Sequence, residues 1–282
     1  MIVVKSIGEM RKRADDWRGR GKTIAFVPTM GFLHEGHLSL MREGRSRCDV
    51  LVTSIFVNPT QFGPNEDLDK YPRDFEGDEA KCRTEGVDAI YYPSVDEMYP
   101  EGYQTYVTVE RISLGLCGGD RPVHFRGVAT VCTKLFNAVK PHVTVFGQKD
   151  YQQWQLIRRM AADMDMGIEV VGMPTVRESD GLAMSSRNKY LSPDERKRAA
   201  SIFASLVAAK KDVEYGERDP RRIEAVVRAK LADAEPCEID YVEMRDADTL
   251  AEIDKIERPA VMAVAVKIGT TRLIDNMVYK DI

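Results

Sequence analysis

Residues 24–37 read Ile-Ala-Phe-Val-Pro-Thr-Met-Gly-Phe-Leu-His-Glu-Gly-His, and the rest of the chain is arranged around them. A short apolar run ends at Pro28, a glycine turn follows it, and apolar residues of helical spacing begin after His37. This order predicts a buried strand at 24–27, a turn and then a helix. His34 and His37 therefore lie at the start of that helix.

This turn has the chemistry of an anion site. The first turn of a helix carries unpaired N–H groups and the positive end of the helix dipole, so it binds phosphate readily. His34 and His37 are three residues apart and project to similar sides, and Gly36 leaves room for a nucleotide. Either histidine can be neutral or charged near neutral pH, so both can donate hydrogen bonds to a phosphate. The alternative is two surface histidines at a helix cap, but two of the chain's four histidines fall in this one turn.

The bulk composition is that of a soluble globular protein. A length of 282 residues suits one large or two modest domains. The residues are 43% hydrophobic and 30% charged, which is ordinary for a globular protein that buries a core. The formal net charge of −4 gives no pull toward nucleic acid or anionic membranes. No apolar run is long enough to span a membrane, and the first residues lack the pattern of a signal peptide. The five cysteines are widely spaced and form no C-x-x-C pair, so we expect reduced thiols, no structural zinc and a cytoplasmic location.

The first part of the chain alternates strand patterns with helix patterns. The predicted strands lie at 24–27, 49–57, 88–93, 143–146 and 168–172. The predicted helices lie at 5–20, 37–47, 75–86, 128–139 and after residue 150. This alternation predicts an α/β fold with a Rossmann-like, doubly wound parallel sheet. We also expect residues 104–110 to form an outer strand and residues 118–122 to form a mobile loop.

The pattern changes after about residue 176. Two long charged helices are predicted near 193–214 and 219–234, and strands at 239–244, 260–268 and 272–275. Helices followed by antiparallel strands suggest a smaller α+β domain. We therefore expect a nucleotide-binding domain at 1–176 and an α+β lid domain at 177–282.

Polar residues follow two of the predicted strands at the edge where open α/β sheets bind ligands. Lys149 after the strand at 143–146 could contact phosphate, and Asp150 could accept from ribose, although a solvated pair with Asp150 as a helix cap is equally open. Gln61 and Gln153 offer uncharged donors that suit a hydroxylated carboxylic acid. They could also be ordinary turn and helix residues.

A second polar segment, residues 178–188, lies at the expected domain junction. Ser185 and Ser186 offer hydroxyl and N–H donors, and Arg187 offers a fixed positive fork for phosphate oxygens. A loop of this kind could close over a triphosphate. Taken alone, it could equally be a linker and a helix start.

Taken together, these motifs resemble the pantothenate synthetase (pantoate–β-alanine ligase) family, within the H-x-G-H nucleotidyltransferase superfamily that includes class I aminoacyl-tRNA synthetases. The resemblance rests on residues 28–37, 54–62, 146–153 and 184–188 and covers essentially the whole chain. One departure is Gln148, where many relatives carry an acidic residue. We expect it to tune ATP binding and not to abolish it.

The resemblance implies a two-step ATP-dependent ligation that makes pantothenate, a precursor of coenzyme A. Pantoate and ATP would first give bound pantoyl adenylate and pyrophosphate. The amine of β-alanine would then attack the activated carbonyl, giving pantothenate and AMP. Magnesium would accompany the triphosphate, held mainly by phosphates and water, with no dedicated protein cage. A homodimer is also implied, with no nucleic acid or membrane partner.

The resemblance also assigns roles to particular positions. The catalytic residues would be His34, His37, Lys149 and Arg187. The ATP-binding residues would be Met30, Gly31, Phe32, Leu33, His34, Glu35, Gly36, His37, Gly147, Gln148, Lys149, Asp150, Val176, Met184, Ser185, Ser186 and Arg187. Pantoate and β-alanine would be held by Gln61, Gln153 and Asn58.

Three other functions compete with this interpretation. Another adenylyl or cytidylyl transferase would use the same phosphate machinery on a different acceptor, and only the resemblance at Gln61 and Gln153 argues against it. A nucleotide-sensing module would bind ATP and tolerate His37→Ala without functional loss. A tRNA-charging enzyme is disfavoured because no basic anticodon-binding region follows the core.

Overall fold

A computed structural model of the protein describes residues 1–64, 66–232 and 235–280. The strands are β1 (Ile2–Val4), β2 (Ile24–Thr29), β3 (Val50–Ile55), β4 (Ala89–Tyr91), β5 (Val143–Gly147), β6 (Glu169–Met173), β7 (Cys237–Asp246), β8 (Ala260–Ile268) and β9 (Thr271–Tyr279). The α-helices are α1 (Ile7–Gly19), α2 (Glu35–Arg47), α3 (Phe75–Thr84), α4 (Val95–Met98), α5 (Leu116–Asp120), α6 (His124–Val139), α7 (Tyr151–Asp163), α8 (Pro193–Glu214) and α9 (Pro220–Leu231). Short 3-10 turns cover Pro59–Gln61, Gln148–Asp150 and Ser186–Tyr190.

The first six strands form one parallel sheet in the order β1-β4-β3-β2-β5-β6. Its central strands β2 and β3 pair from Ile24 opposite Val50 to Thr29 opposite Ile55. Their nearly continuous apolar sequence is explained by helices that cover both faces. The prediction of a doubly wound α/β sheet is confirmed.

Two hydrophobic clusters cover the two faces of this sheet. One joins the sheet to α1, α6 and α7, with Phe26 and Phe136 in edge-to-face contact 6.2 Å apart. The other joins it to α2 and α3 around Met41 and Cys82. The flanking helices are thus fixed against the sheet, which determines where the turns at its carboxyl edge lie.

The C-terminal part folds around its own sheet. Strands β7, β8 and β9 are antiparallel, and a separate hydrophobic cluster joins them to α8 and α9. Helix α8 has the bounds that the sequence predicts, because Ser192 and Glu195 form a capping box around Pro193 at the first helical position. No helix in the described residues is long and apolar enough to cross a membrane.

Three local expectations are wrong or incomplete. The predicted outer strand at 104–110 has no strand partner among the described residues; Val107 and Val109 pack against the core, but the Val107 N–H donates to Thr130 Oγ1. Residues 118–122 are not a free loop, because 118–120 belong to α5. The three-residue edge strand β1 was not predicted, since it is too short to show alternation.

Two helix bounds also differ from the sequence expectations. Helix α6 begins at His124, four residues before the predicted start at Val128. Helix α9 ends at Leu231, and the predicted end of that helix at 233–234 lies outside the described residues.

Candidate active site

The turn between β2 and α2 is held in an uncommon backbone conformation. Gly31 and Phe32 both have positive φ, at 84° and 52°. For a side chain such as that of Phe32 this region costs about 1–2 kcal/mol, so neighbouring contacts must maintain it. The buried carboxylate of Asp78 accepts the N–H groups of Phe32 and Leu33, each at 2.7 Å.

The two histidines cap the helix that follows. His34 is the N-cap of α2, and its Nδ1 accepts the Gly36 N–H at 3.2 Å. The Nδ1 of His37 accepts the His34 N–H at 3.3 Å, and the two ring centroids lie 4.2 Å apart. Because both Nδ1 atoms accept hydrogen bonds, both rings carry their proton on Nε2. Each ring can therefore donate one hydrogen bond to a ligand.

Both histidines are neutral near neutral pH. Burial lowers the pKa of His37 to about 3, helped by His34 and Lys149. Burial and the nearby Lys149 charge lower the pKa of His34 to about 4. The expectation that either ring could be charged is therefore corrected. The positive charge beside the two rings comes from Lys149 and Lys81.

Lys149 lies on the 3-10 turn at the end of β5. Its side chain is 20% exposed, and its Nζ is 3.9 Å from an Asp150 carboxylate oxygen. The turn is held from the C-terminal sheet, since Asn276 Nδ2 donates to the carbonyls of Gln148 and Lys149. Asp150 occupies the N-cap position of α7 without capping it through its side chain. Its carboxylate is thus left for the cleft and Lys149.

Asn58 orients Gln61. The Asn58 side chain is 1% exposed, and its Nδ2 donates to Gln61 Oε1 at 3.0 Å and to the Gly127 carbonyl at 3.2 Å. Its Oδ1 accepts from the hydroxyls of Thr60 and Tyr99. With its side-chain oxygen held by Asn58, Gln61 directs its NH₂ group to Met30 of the cleft lining, where Nε2 donates to Met30 Sδ at 3.2 Å. Both polar atoms of the Asn58 side chain are engaged in fixing that orientation.

The two glutamines at the start of α7 have different roles. Gln153 lines the cleft and is half-buried. Gln152 also borders the cleft, but its side chain is buried and bonds the backbone of the segment before α6. Its Oε1 accepts the Cys117 N–H, and its Nε2 donates to the Ile112 carbonyl. Gln153 is therefore the one of the pair that can reach a ligand.

The Ser-Ser-Arg segment, residues 185–187, forms another part of the site lining. Ser186 Oγ donates to the Phe32 carbonyl at 3.3 Å, so this segment contacts the histidine turn directly. Arg187 bonds both oxygens of Asp67, through Nε at 3.0 Å and Nη2 at 2.9 Å. The Met184 N–H donates to the Val176 carbonyl. The segment is thus anchored at both ends.

These groups face one cleft of about 1130 Å³ between the carboxyl edge of the parallel sheet and the C-terminal part. The predicted site residues that line it are Met30, His34, Gly36, His37, Asn58, Gln61, Gly147, Lys149, Asp150, Gln153, Val176, Met184, Ser185, Ser186 and Arg187. The cleft is large enough for a nucleotide together with a small acid.

Five predicted ATP contacts lie outside the described lining. Gly31, Phe32 and Leu33 form the turn behind the histidines. Glu35 is exposed and pairs with Arg42. Gln148 uses its carbonyl to accept from the C-terminal sheet.

Several residues that line the cleft carry no signal in the sequence. Glu66 and Asp67 lie on the acidic segment before α3, and Arg121 bonds Glu66, with Nε 2.9 Å from Oε1. Arg121 Nη2 and His124 Nδ1 donate to the Gln61 carbonyl. Residues 240–241, 267 and 270–276 add a wall from the C-terminal sheet. None of these positions has a sequence pattern of its own, since only tertiary packing brings them to the cleft.

Comparison with known proteins agrees with this geometry. A family model described as pantoate-beta-alanine ligase matches residues 2–278. The chain belongs to the pantoate–β-alanine ligase family. A curated relative, the pantothenate synthetase of Syntrophus aciditrophicus (strain SB), is 53% identical over 281 residues, which are 100% of this chain and 98% of the relative.

Solved structures of pantoate–β-alanine ligases share the fold. Pantothenate synthetase from Thermus thermophilus superposes with a TM-score of 0.93 at 41% identity, covering 98% of this chain and 99% of that one. The ligase from Francisella tularensis has a TM-score of 0.80 at 31% identity, covering 99% of this chain and 97% of that one, and its crystal structure is a complex with beta-gamma ATP and beta-alanine. The whole architecture, including the C-terminal sheet, is therefore that of this ligase family.

Proposed function

We propose that this protein is an ATP-dependent ligase that condenses pantoate with β-alanine to give pantothenate, AMP and pyrophosphate. The observation that carries the proposal is the composition of the cleft. Two neutral histidine donors, the cations Lys149 and Arg187 and two glutamine amides line the same cleft. The histidines and cations suit a nucleoside triphosphate, and the amides suit a hydroxylated acid that must remain reactive.

In the first step a pantoate carboxylate oxygen attacks the α-phosphorus of ATP. The new O–P bond forms as the bond from the α-phosphorus to the bridging oxygen breaks, and pyrophosphate leaves. Negative charge builds on the phosphate oxygens, so catalysis is mainly positioning and charge stabilisation. The Nε2–H groups of His34 and His37 donate to these oxygens, while Lys149 and Arg187 supply positive charge.

In the second step the neutral amine of β-alanine attacks the activated carbonyl. The C–N bond forms, the bond from the carbonyl carbon to the phosphate oxygen breaks, AMP leaves and the nitrogen loses a proton. Gln61 holds pantoate and lies near the β-alanine position, with Gln153 as the second amide. The adenylate carries the activation, so no covalent bond to the protein is needed. The cleft must keep water away from it.

We propose that Mg²⁺ enters with ATP and is held mainly by phosphate oxygens and water. No group of three His, Cys, Asp or Glu side chains within the described residues is arranged to hold a metal ion. Asp150 at the cleft, with a side chain 49% exposed, is suited to accept a hydrogen bond from a water of a hydrated ion. Bound there, Mg²⁺ would neutralise phosphate charge.

We propose the domain division at residues 176 and 177, with residues 177–282 as a lid. Separate hydrophobic clusters on the two sides support it. The segment around α5, residues 118–127, is a second candidate lid. Crystal structures with and without nucleotide in which neither moves would rule out both lids.

We also propose a cytoplasmic homodimer. The five free cysteines suit a reducing compartment. Residues 104–110 offer an extended surface segment, with Tyr106 exposed, that a second copy could pair with. Sedimentation velocity of the purified protein tests the oligomeric state, and a single monomer species across concentrations would contradict it.

One assay tests the activity itself. The purified protein is incubated with ATP, pantoate and β-alanine, and each is omitted in turn. Pyrophosphate release should require pantoate, and AMP release should require both pantoate and β-alanine. Pyrophosphate release at the same rate with and without pantoate, or release that requires a different acceptor, would contradict the proposal.

A further inference from the structure

The turn that carries the histidines is held from behind by one face of α3. Asp78 accepts the N–H groups of Phe32 and Leu33, and Lys81 Nζ donates to the Leu33 carbonyl at 2.9 Å. Residues three apart on a helix share a face, so these two side chains reach the turn together. Three backbone groups immediately before His34 are therefore fixed by two side chains of another element.

The geometry of the contact requires a carboxylate. Two N–H donors converge on the two oxygens of Asp78, so both oxygens must be acceptors. An asparagine would place its NH₂ group against one of these N–H groups. Asp78 is also buried, and burial raises the pKa of its carboxyl, against the opposing effect of the two N–H groups and Lys81. Burying a carboxylate is costly, and a residue serving only the stability of α3 would not need one.

The carboxylate also accounts for the glycine in the turn. A Cβ atom on Gly31 would lie 2.9 Å from Asp78 Oδ2 and 3.0 Å from Ile55 Cγ2. Gly31 and Phe32 are both at positive φ, so the turn depends on contacts that hold it. Asp78 takes two of its N–H groups, while Thr29 and Ser186 each bond one further backbone group of the turn. His34 follows directly as the N-cap, and His37 bonds the His34 N–H, so any movement of the turn moves both rings.

Neither side chain is placed as a substrate contact, because Asp78 and Lys81 lie outside the set of described residues that line the cleft. We propose that Asp78 and Lys81 are positioning residues of the adenylation step, which hold the turn so that the Nε2–H groups of His34 and His37 point at the nucleotide phosphates. This inference rests on the proposed function for its activity readout only. The placement of the two rings can be measured without any substrate.

The test compares Asp78→Asn and Lys81→Met with the control Asp74→Ala. Asp74 is the exposed N-cap of the same helix, and its side chain accepts the Gly77 N–H, so its loss weakens α3 without touching the turn. Lys81→Met keeps the aliphatic stem and removes one contact, so it provides a folded variant even if Asp78→Asn is unstable. Rates are normalised to the folded fraction measured by circular dichroism.

For Asp78→Asn we expect kcat for pantoate-dependent pyrophosphate release to fall at least about tenfold, with KM for ATP changed less than about threefold. Lys81→Met should lower kcat about threefold or more, and Asp74→Ala should stay within about twofold of the wild type. The histidine ¹⁵N spectrum should show Nε2–H tautomers for His34 and His37 in the wild type and a tautomer mixture in Asp78→Asn.

Two results would overturn the positioning role. One is an unchanged histidine spectrum and an unchanged kcat in both Asp78→Asn and Lys81→Met. The other is a loss in Asp74→Ala as large as that in Asp78→Asn, which would show a general effect of α3. If the wild type releases no pyrophosphate with pantoate, the proposed function fails, and the histidine spectra still decide whether Asp78 and Lys81 hold the rings.

Discussion

The Asp67 carboxylate bonds two edges of the Arg187 guanidinium, 3.0 Å from Nε and 2.9 Å from Nη2. The pair links the segment before α3 to the Ser-Ser-Arg segment, and both residues line the cleft. A guanidinium has five donors in a rigid fork, so Arg187 can keep Asp67 and still offer donors to a phosphate. Asp67 therefore fixes the orientation of the Arg187 guanidinium at the cleft and leaves its other N–H donors available.

We expect Arg187→Lys to lower kcat/KM for ATP at least about tenfold, although the positive charge is retained, because lysine cannot reproduce the two-bond fork. Steady-state kinetics of the full reaction measures this. The matched control is Arg196→Lys, which alters a two-bond pair with Asp180 outside the cleft. Equal losses in the two variants would show that Arg187 acts only through stability.

His37→Ala and Lys149→Ala should each cost at least about 3 kcal/mol of transition-state stabilisation, or roughly 150-fold in rate, because each removes a group that stabilises developing phosphate charge. Single-turnover pyrophosphate release isolates the affected step. His142→Ala is the control, since His142 lies outside the described cleft lining and bonds the Ile24 N–H. Near-normal turnover in both cleft variants would falsify the catalytic assignment.

Low pH should destabilise the protein through its buried histidines. The pKa values of His34, His37 and His124 are lowered to about 4, about 3 and about 4 from the ordinary value of 6.5. Below about pH 6.5 the unfolded chain binds protons on these residues before the native chain does, so the free energy of unfolding falls as pH decreases. Above about pH 6.5 these histidines are neutral in both states and do not lower the free energy of unfolding.

Urea unfolding at about pH 7 and about pH 5 measures the effect, and His37→Asn should reduce the loss because asparagine does not titrate. In NMR titrations the ring signals of His34, His37 and His124 should hold constant down to about pH 5. A midpoint near 6.5 for His34 or His37, the ordinary histidine pKa, would contradict the neutral assignment.

Asn58→Asp should impair pantoate use. The new carboxylate oxygen would face Gln61 Oε1 and the Gly127 carbonyl, where Asn58 now donates. We expect KM for pantoate to rise at least about tenfold and the free energy of unfolding to fall by about 1–3 kcal/mol. Tyr99→Phe, which removes one hydrogen bond to Asn58 Oδ1, should cost about 0.5–1.5 kcal/mol and change KM little. Unaltered pantoate kinetics in Asn58→Asp would refute the orienting role.

Gly127→Ala should disturb the same turn from the helix side. A Cβ at Gly127 would lie 2.3 Å from the Thr60 carbonyl oxygen and 2.6 Å from Gln61 Cα. We expect lower thermal stability and a higher KM for pantoate, although alanine favours helices by about 1 kcal/mol. Gly8→Ala is the control, because a Cβ at Gly8 in α1 meets nothing within 4 Å. Comparable melting temperatures for the two variants would contradict this prediction and would show that α6 shifts to make room for the added methyl group.

Local sequence signals were enough for much of the fold. The apolar run and Pro28 locate β2, and Ser192, Pro193 and Glu195 fix the start of α8 through bonds within four residues. The motif residues His34, His37 and Lys149 were placed in one cleft by the same logic, since strand ends of a parallel sheet meet at one edge. These features depend on residues that are close together in the sequence, which is why the sequence alone predicts them.

Features that depend on distant partners were not predictable. The alternation at 104–110 predicted a strand, but Val107 bonds Thr130 Oγ1 and no described strand lies beside it. Asp67, Asp78 and Arg121 have the ordinary appearance of surface charges in the sequence. Only the packing of α3 and α5 brings them to the site, with partners 45 to 120 residues away.

The contact of Asn276 with the lysine turn has a consequence for synthesis of the protein. Its amide holds the carbonyls of Gln148 and Lys149 from the last strand of the C-terminal sheet. The ribosome synthesises all six strands of the parallel sheet and both cleft histidines long before it reaches β9. The lysine turn gains its two hydrogen bonds from Asn276 only when that final strand is made. A nascent chain released before β9 would contain His34, His37 and Lys149, but its lysine turn would lack the two hydrogen bonds from Asn276.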